Sequence, residues 1–344
     1  MKLIKVFLAL FIIAGLAMSA SLFWYSTKLE QVLPISDPLV YEVERGSTTN
    51  AVINDLQALN ILEPPLQLVA KVHVRHKELG ARLKAGEFRL EPGLTLESLF
   101  TLLSSNEHVR YKVTLVEGST FAEARLAIEA VPEIKNTLEG VSDQDVLNRL
   151  RSSRVSAKAE ESFVLDFSHP EGSIYPDTYF FHKGETDLSV LERAHARLKM
   201  VLLEEWDKKQ DKLPIKSPYE ALILASIVEK ETGVPEERPL IAQVFHNRLN
   251  KGMMLQTDPT IIYGMGERFK GNIRKSDLKR DNPFNTYTRT GLTPTPIATP
   301  SAEAVKAVLH PEASKALYFV ARGDGTSHFS NTYREHRRAV IKYQ

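Results

Sequence analysis

The chain has 344 residues, with 44 Lys plus Arg against 43 Asp plus Glu, 10 His and no cysteine. Hydrophobic residues make up 43% and charged residues 25%, which excludes a disordered chain, a collagen-like chain and a polytopic membrane protein. A net charge of +1 argues against nucleic acid as a partner, and the missing thiols exclude disulfides, thiolate metal sites and a cysteine nucleophile.

Residues 6–25, VFLALFIIAGLAMSASLFWY, carry no charge. As a helix they span about 30 Å, the thickness of a bilayer's hydrocarbon core. Lys2 and Lys5 precede the stretch and Trp24 and Tyr25 close it. That pattern predicts a transmembrane anchor with residues 1–5 as a cytoplasmic tail and the bulk of the chain outside the cytoplasm. A cleaved signal peptide is the alternative, since Ala17-Met18-Ser19-Ala20 fits a cleavage site. Either way residues 26–344 are exported. Residues 26–40, with Pro34, Ser36, Asp37 and Pro38, read as a short stalk.

From Tyr41 a strand, a glycine turn and an apolar helix recur three times, at Tyr41–Leu56, Gly86–Leu103 and Tyr111–Ile128. Ser47, Thr95 and Ser119 sit where helix N-caps belong. The pattern predicts small α+β modules suited to binding rather than chemistry. The copies Tyr41–Leu62 and Gly86–Leu103 resemble LysM-type modules, and the resemblance implies a glycan-binding domain over residues 41–110. Generic strand–turn–helix packing without a ligand is the alternative.

Further along, Arg149–Glu161 is polar with little periodicity and is expected at the surface. His169–Phe180, HPEGSIYPDTYF, mixes turn formers with residues that favour burial, so it is either a rigid loop against a site or an ordinary buried turn.

Residues 219–250 predict two helices broken at Gly233-Val234-Pro235, the first over about Pro218–Thr232 with Gly233 as its stop. Leu224, Ile227, Val228 and Glu231 fall on one face, which puts a carboxyl group on an apolar stripe. Glu229 lies about 160° around the helix, beside Leu222, Ala225 and Ser226, a weaker apolar setting. Burial and the negative helix end both raise the pKa of Glu231, which suits a general acid. A structural glutamate paired with Arg238 or Arg248 would give the same pattern. Two downstream clusters, Leu255–Gly264 and Asn282–Tyr287, place amides, carboxylates, hydroxyls and aromatic rings together, as sugar recognition requires.

Residues 221–300 resemble the catalytic core of the endolytic murein transglycosylase family, also called MltG or YceG-like. The resemblance rests on ASIVEKET (Ala225–Thr232), LQTDPT (Leu255–Thr260), IYGMG (Ile262–Gly266) and NTY (Asn285–Tyr287). Glu171-Gly172, Pro176–Tyr179 and Tyr318–Ala321 extend it on both sides. It implies a mixed α+β catalytic domain over residues 111–344, with Glu231 catalytic. Gln256, Asp258, Tyr263, Asn285, Tyr287 and Asn247 are the expected substrate-binding residues. It further implies cleavage of the β-1,4 bond between N-acetylmuramic acid and N-acetylglucosamine inside nascent peptidoglycan strands, leaving a 1,6-anhydromuramic end and terminating elongation. No metal or cofactor is implied. The setting would be the periplasmic side of a bacterial inner membrane, with penicillin-binding synthases as partners. A two-carboxylate hydrolase using Asp258 and a non-catalytic glycan-binding scaffold stay open. Gly291-Leu292-Thr293-Pro294-Thr295-Pro296-Ile297 departs from the family's Gly-Leu-Pro-Pro-Gly-Pro-Ile, and Thr295 would resist a positive φ.

Overall fold

The computed structural model describes residues 2–79, 82–153 and 167–344. Residues 154–161 of the expected polar surface segment lie outside them. The chain is α+β and divides into two compact units, Met1–Tyr111 and Lys112–Gln344.

The first unit starts with helix α1 (Lys2–Leu29), whose stretch Leu3–Leu29 is long and apolar enough to cross a membrane. The helix outruns the expected 6–25 segment at both ends. Its last turn enters the unit's own core, where Tyr25 and Leu29 pack and the Tyr25 hydroxyl shares a 3.0 Å hydrogen bond with His73 Nδ1. The expected stalk is therefore not a free tether. Leu33 and Ile35 are buried, and the Leu33 N–H donates to the Leu94 carbonyl at 2.8 Å.

Strand β1 (Leu39–Val43) pairs antiparallel with β2 (Gly86–Leu90), with Tyr41 opposite Phe88. Helices α2 (Thr49–Ala58), α3 (Pro64–His76) and α4 (Leu96–Leu103) complete a single apolar core. The first two sequence repeats are thus halves of one unit, not separate modules. The third supplies β3 (Tyr111–Thr114) and α5 (Phe121–Glu129), and β3 pairs with β4 (Thr178–Phe181) further along the chain.

Two of the three caps fall one residue later than expected. Thr48 and Thr120 cap α2 and α5, while Thr95 caps α4. In Gly46-Ser47-Thr48 and Gly118-Ser119-Thr120 the glycine takes a positive φ and the serine closes the turn, its N–H bonding back to Glu44 or Val116. The threonine is the first side chain free to cap.

The second unit is built around one buried helix. After α6 (Asp143–Ser152) and α7 (Asp187–Asp207) comes α8 (Pro218–Glu231), whose residues from Ala221 to Val228 are all buried. Ser217 caps α8 by accepting the Glu220 N–H, and Pro218 stands at its first position, where no donor is lost. Helices α7, α9 (Arg238–Asn250), α10 (Asp258–Met265) and α12 (Ala302–Leu309) pack against it. Between α10 and α12 lies α11 (Lys275–Lys279), and β5 (Tyr318–Ala321), β6 (Ser327–Ser330) and α13 (Tyr333–Tyr343) end the chain. A helix enclosed by four neighbours has no polar face. The flank of Leu222, Ala225 and Ser226, expected to be a weaker apolar setting, is as buried as the opposite one.

Candidate active site

Helix α8 ends at Glu231, and Thr232 follows in extended backbone (φ −143°, ψ 137°) rather than a glycine-type left-handed cap. Gly233 is not the stop that the sequence suggests. The break instead holds Thr232 Oγ1 as acceptor for the Val234 N–H at 3.0 Å, and Pro235 opens a single 3-10 turn before α9.

Two glutamates leave the end of this helix into different surroundings. Glu229 forms an ion pair with Arg238 Nη2 at 3.0 Å and accepts from the Ser301 N–H at 2.9 Å and the Ser301 hydroxyl at 2.5 Å. Its side chain is 5% exposed and that of Arg238 10%, so the pair is dry and compensated. Among the described residues Glu231 has no such ion-pair partner. Its Oε1 accepts from the Thr257 hydroxyl. Arg248, the other candidate cation, is fixed elsewhere: its Nε donates to Leu317 O at 2.7 Å and its Nη1 to Leu255 O at 2.7 Å and Met254 O at 3.2 Å.

Burial is the main cause that pushes the Glu231 carboxyl up to about 7, with the neighbouring Asp258 charge adding to it. The Thr257 hydrogen bond and the more distant Arg248 pull the other way and do not prevail. The group is therefore a carboxylic acid up to neutrality and a carboxylate just above, able both to give a proton and to take it back.

Glu231 opens on a cavity of about 510 Å³ shared with Arg248, Gln256, Thr257, Asp258, Tyr287 and Tyr318. Gln256 takes a left-handed φ of +50°, a conformation uncommon for a residue with a β-carbon. Its N–H bonds to Thr286 O at 3.1 Å and the Thr257 N–H to Thr286 Oγ1 at 3.1 Å, which turns Thr257 inward under Glu231. Asp258 begins α10 and accepts from the Tyr287 hydroxyl at 2.6 Å. Of the six expected binding residues, Gln256, Asp258 and Tyr287 therefore share the cavity of Glu231.

The other three do not. Asn285 is fully buried, and its Nδ2 donates to the carbonyls of Asp277, Leu278 and Arg280 while its Oδ1 receives the Tyr287 N–H. Asn247 Nδ2 donates to Ser314 O and Ala316 O, both at 2.9 Å, and its Oδ1 accepts from Gln243. Both amides are committed to bracing loops, and neither lines the cavity of Glu231. Asn285 acts on the site by fixing the backbone of Tyr287.

Tyr263 lies on a second cavity, about 680 Å³, and donates to Glu171 Oε2 at 3.2 Å. Glu171 is 4% exposed, also accepts the Phe121 N–H at 2.9 Å, and burial pushes it up to about 7. The loop of His169–Asp177 thus borders a cavity. Gly172 holds it with φ +70°, where a β-carbon would stand 2.6 Å from Pro296 Cβ. Glu171 belongs to a motif that the sequence displays without giving it a role at the site. It sits in a turn-rich loop with no periodicity, and nothing local signals its burial.

The departures at 293 and 295 put no threonine in a left-handed conformation. Positive φ falls on Gly291 (+86°), not on Thr295. Both threonines are buried, with Thr293 Oγ1 donating to Thr295 O and Thr295 Oγ1 to Pro296 O. Ser226 ties this loop to α8 by accepting the Ile297 N–H at 3.0 Å, which explains a serine inside an apolar helix.

A buried helix that delivers a carboxylic acid, without a cationic partner among the described residues, into a cleft with hydroxyl, carboxylate and phenol groups is an arrangement suited to acid–base chemistry. Comparison with known proteins assigns the family: the YceG-like family model matches residues 41–342, and the chain belongs to that family. It is 30% identical over 305 residues to a Bacillus subtilis protein named endolytic murein transglycosylase, covering 88% of this chain and 83% of that protein. A Streptococcus pneumoniae protein of the same name is 26% identical over 99% of this chain, which spans only 65% of that relative. A solved YceG-like protein from Listeria monocytogenes shares 27% identity with a TM-score of 0.55, covering 88% of this chain and 99% of that structure.

Proposed function

We propose that this protein is an endolytic lytic transglycosylase acting on peptidoglycan, with Glu231 as its acid and base. The enzyme class follows from the family and from relatives named endolytic murein transglycosylase. The observation that carries the role of Glu231 is its pairing: among the described residues it meets a hydroxyl and forms no ion pair, whereas its neighbour Glu229 is paired with Arg238.

In the reaction, protonated Glu231 gives its proton to the oxygen bridging N-acetylmuramic acid and N-acetylglucosamine. The bond from muramic C1 to that oxygen breaks, and the glucosamine side leaves with a hydroxyl. The muramic C6 hydroxyl then attacks C1 and its proton returns to Glu231. No water is consumed, and the new end is 1,6-anhydromuramic acid. Gln256, Asp258 and Tyr287 line the cleft as sugar contacts. Helix α1 serves as a single membrane anchor, with the amino terminus in the cytoplasm and both units in the periplasm of a bacterial inner membrane. Residues 41–110 grip the glycan, a role supported by the resemblance of their repeats to LysM-type modules. Cutting strands as synthases extrude them would end elongation, and penicillin-binding synthases are the proposed partners.

Asp258 favours a second reading, hydrolysis with two carboxyl groups, because it opens on the same cavity. Mass analysis of the products formed on nascent uncrosslinked strands decides. An anhydro end is one water lighter than a reducing end. Absence of any cleavage by the intact protein would leave only a scaffold.

A further inference from the structure

The outer face of α3 carries the feature that neither the cleft nor the glycan explains. Leu68 is 61% exposed and Val72 50%, four residues apart on one side of the helix. Lys71 and Arg75 border this stripe on one flank and His76 on the other, and the segment Pro64–His76 contains no acidic residue. Gln67 faces the opposite way, bonding to Asn54 and Gln57 of α2, while Leu66, Val69 and Ala70 fill the core. No element of the first unit among the described residues covers Leu68 and Val72.

Their location gives the face its meaning. Helix α1 meets α3 at its own carboxyl end, where Tyr25 bonds to His73, the residue after Val72. Trp24 and Tyr25 belong at the membrane–water boundary if α1 is an anchor. No slack separates anchor and unit: Lys28 donates to Gln31, Val32 bridges to Thr95, and Leu33 bonds to Leu94. The unit is fixed at the end of α1, so with α1 across a bilayer α3 would stand at the level of the headgroups.

We propose that the Leu68–Val72 face of α3 lies in the surface of the membrane and binds anionic lipid. The apolar pair enters the boundary between headgroups and acyl chains, and Lys71 and Arg75 reach outward to the headgroup phosphates. The proposal rests on the anchor reading of α1.

The absence of cysteine allows a single environment-sensitive fluorophore to be placed at will in the full chain. Leu68→Cys, Val72→Cys and Phe11→Cys are labelled in turn and reconstituted in nanodiscs of phosphatidylcholine alone or with phosphatidylglycerol. The expected result is blue-shifted emission and several-fold slower acrylamide quenching at 68 and 72 in the anionic discs. Combining Val72→Cys with Lys71→Glu and Arg75→Glu should abolish that protection while the label at 11 stays buried in lipid. Water-like emission and full quenching at 68 and 72, with the label at 11 protected, would overturn the proposal and leave the anchor intact. Protection that ignores both lipid charge and the charge reversals would overturn the anionic-lipid assignment. A quenched label at 11 would instead remove the anchor itself.

Discussion

Glu229 and Glu231 stand two residues apart on the same helix, and the same protein interior treats them in opposite ways. Around Glu229, Arg238 and Ser301 supply a cation and two donors, so the carboxylate is an internal fastener between α8, α9 and the start of α12. Around Glu231 a single hydroxyl faces the carboxyl group and a cleft opens beyond it. Burial without compensation leaves a group that changes protonation near neutrality, and burial with compensation leaves a structural one. On the proposed reading, reactivity comes from what the fold withholds from Glu231.

The largest test of that contrast is Glu231→Gln. Cleavage should fall by about 10²–10⁴-fold, the worth of a positioned general acid, in a protein that stays folded. Stability should move the other way. The carboxyl group releases its proton near 4.5 when unfolded and about 7 when folded, so the native state holds the extra proton in between and stability declines as pH rises through that window. Above pH 7 the glutamine variant should therefore gain up to about 3 kcal/mol, and below 4.5 nothing. Thermal melts at pH 8 and pH 4 check both signs. A variant that still cleaves would end the role of Glu231.

Next in size, Glu229→Ala should cost about 3–5 kcal/mol by stranding Arg238 in a dry site, read as a lower urea midpoint with the product unchanged. Should Glu229→Ala leave stability intact and abolish cleavage instead, the two glutamates have been assigned the wrong way round. Asn285→Ala removes the donor for three carbonyls and should cost about 2–3 kcal/mol. A rise in KM without loss of stability would return Asn285 to the sugar contacts. The smallest effect is expected from Thr257→Val. The hydroxyl lowers the pKa of Glu231, so its removal should shift the alkaline limb of kcat/KM, expected near pH 7, to higher pH with less than about a tenfold change in maximal rate. An alkaline limb that does not move would mean that the limb belongs to another group.

Much of this was legible along the chain. The spacing of Leu224, Ile227, Val228 and Glu231 put a carboxyl group on an apolar stripe, because helical periodicity reports neighbours on one face, although α8 is buried all round. The apolar run, the helix break before Pro235 and the α+β character were readable for the same reason: each depends on neighbours within one or two turns. What local patterning leaves open depends on distant segments. Asn247 and Asn285 look like sugar ligands in isolation, yet their partners are carbonyls at Ser314, Ala316, Asp277, Leu278 and Arg280. Thr295 was suspected of strain that the loop places on Gly291.

Sequence alone determined the candidate acid, the apolar segment that opens the first unit and the order of the motifs, since local patterning suffices for each. Only tertiary structure decided that Arg238 belongs to Glu229 rather than Glu231, that Tyr263 faces Glu171 in a second cavity, and that the end of α1 is locked to α3. Those pairings join residues 9, 92 and 48 positions apart. The field at a titratable group is the sum over whatever the fold brings within a few ångströms, and no linear pattern encodes that sum.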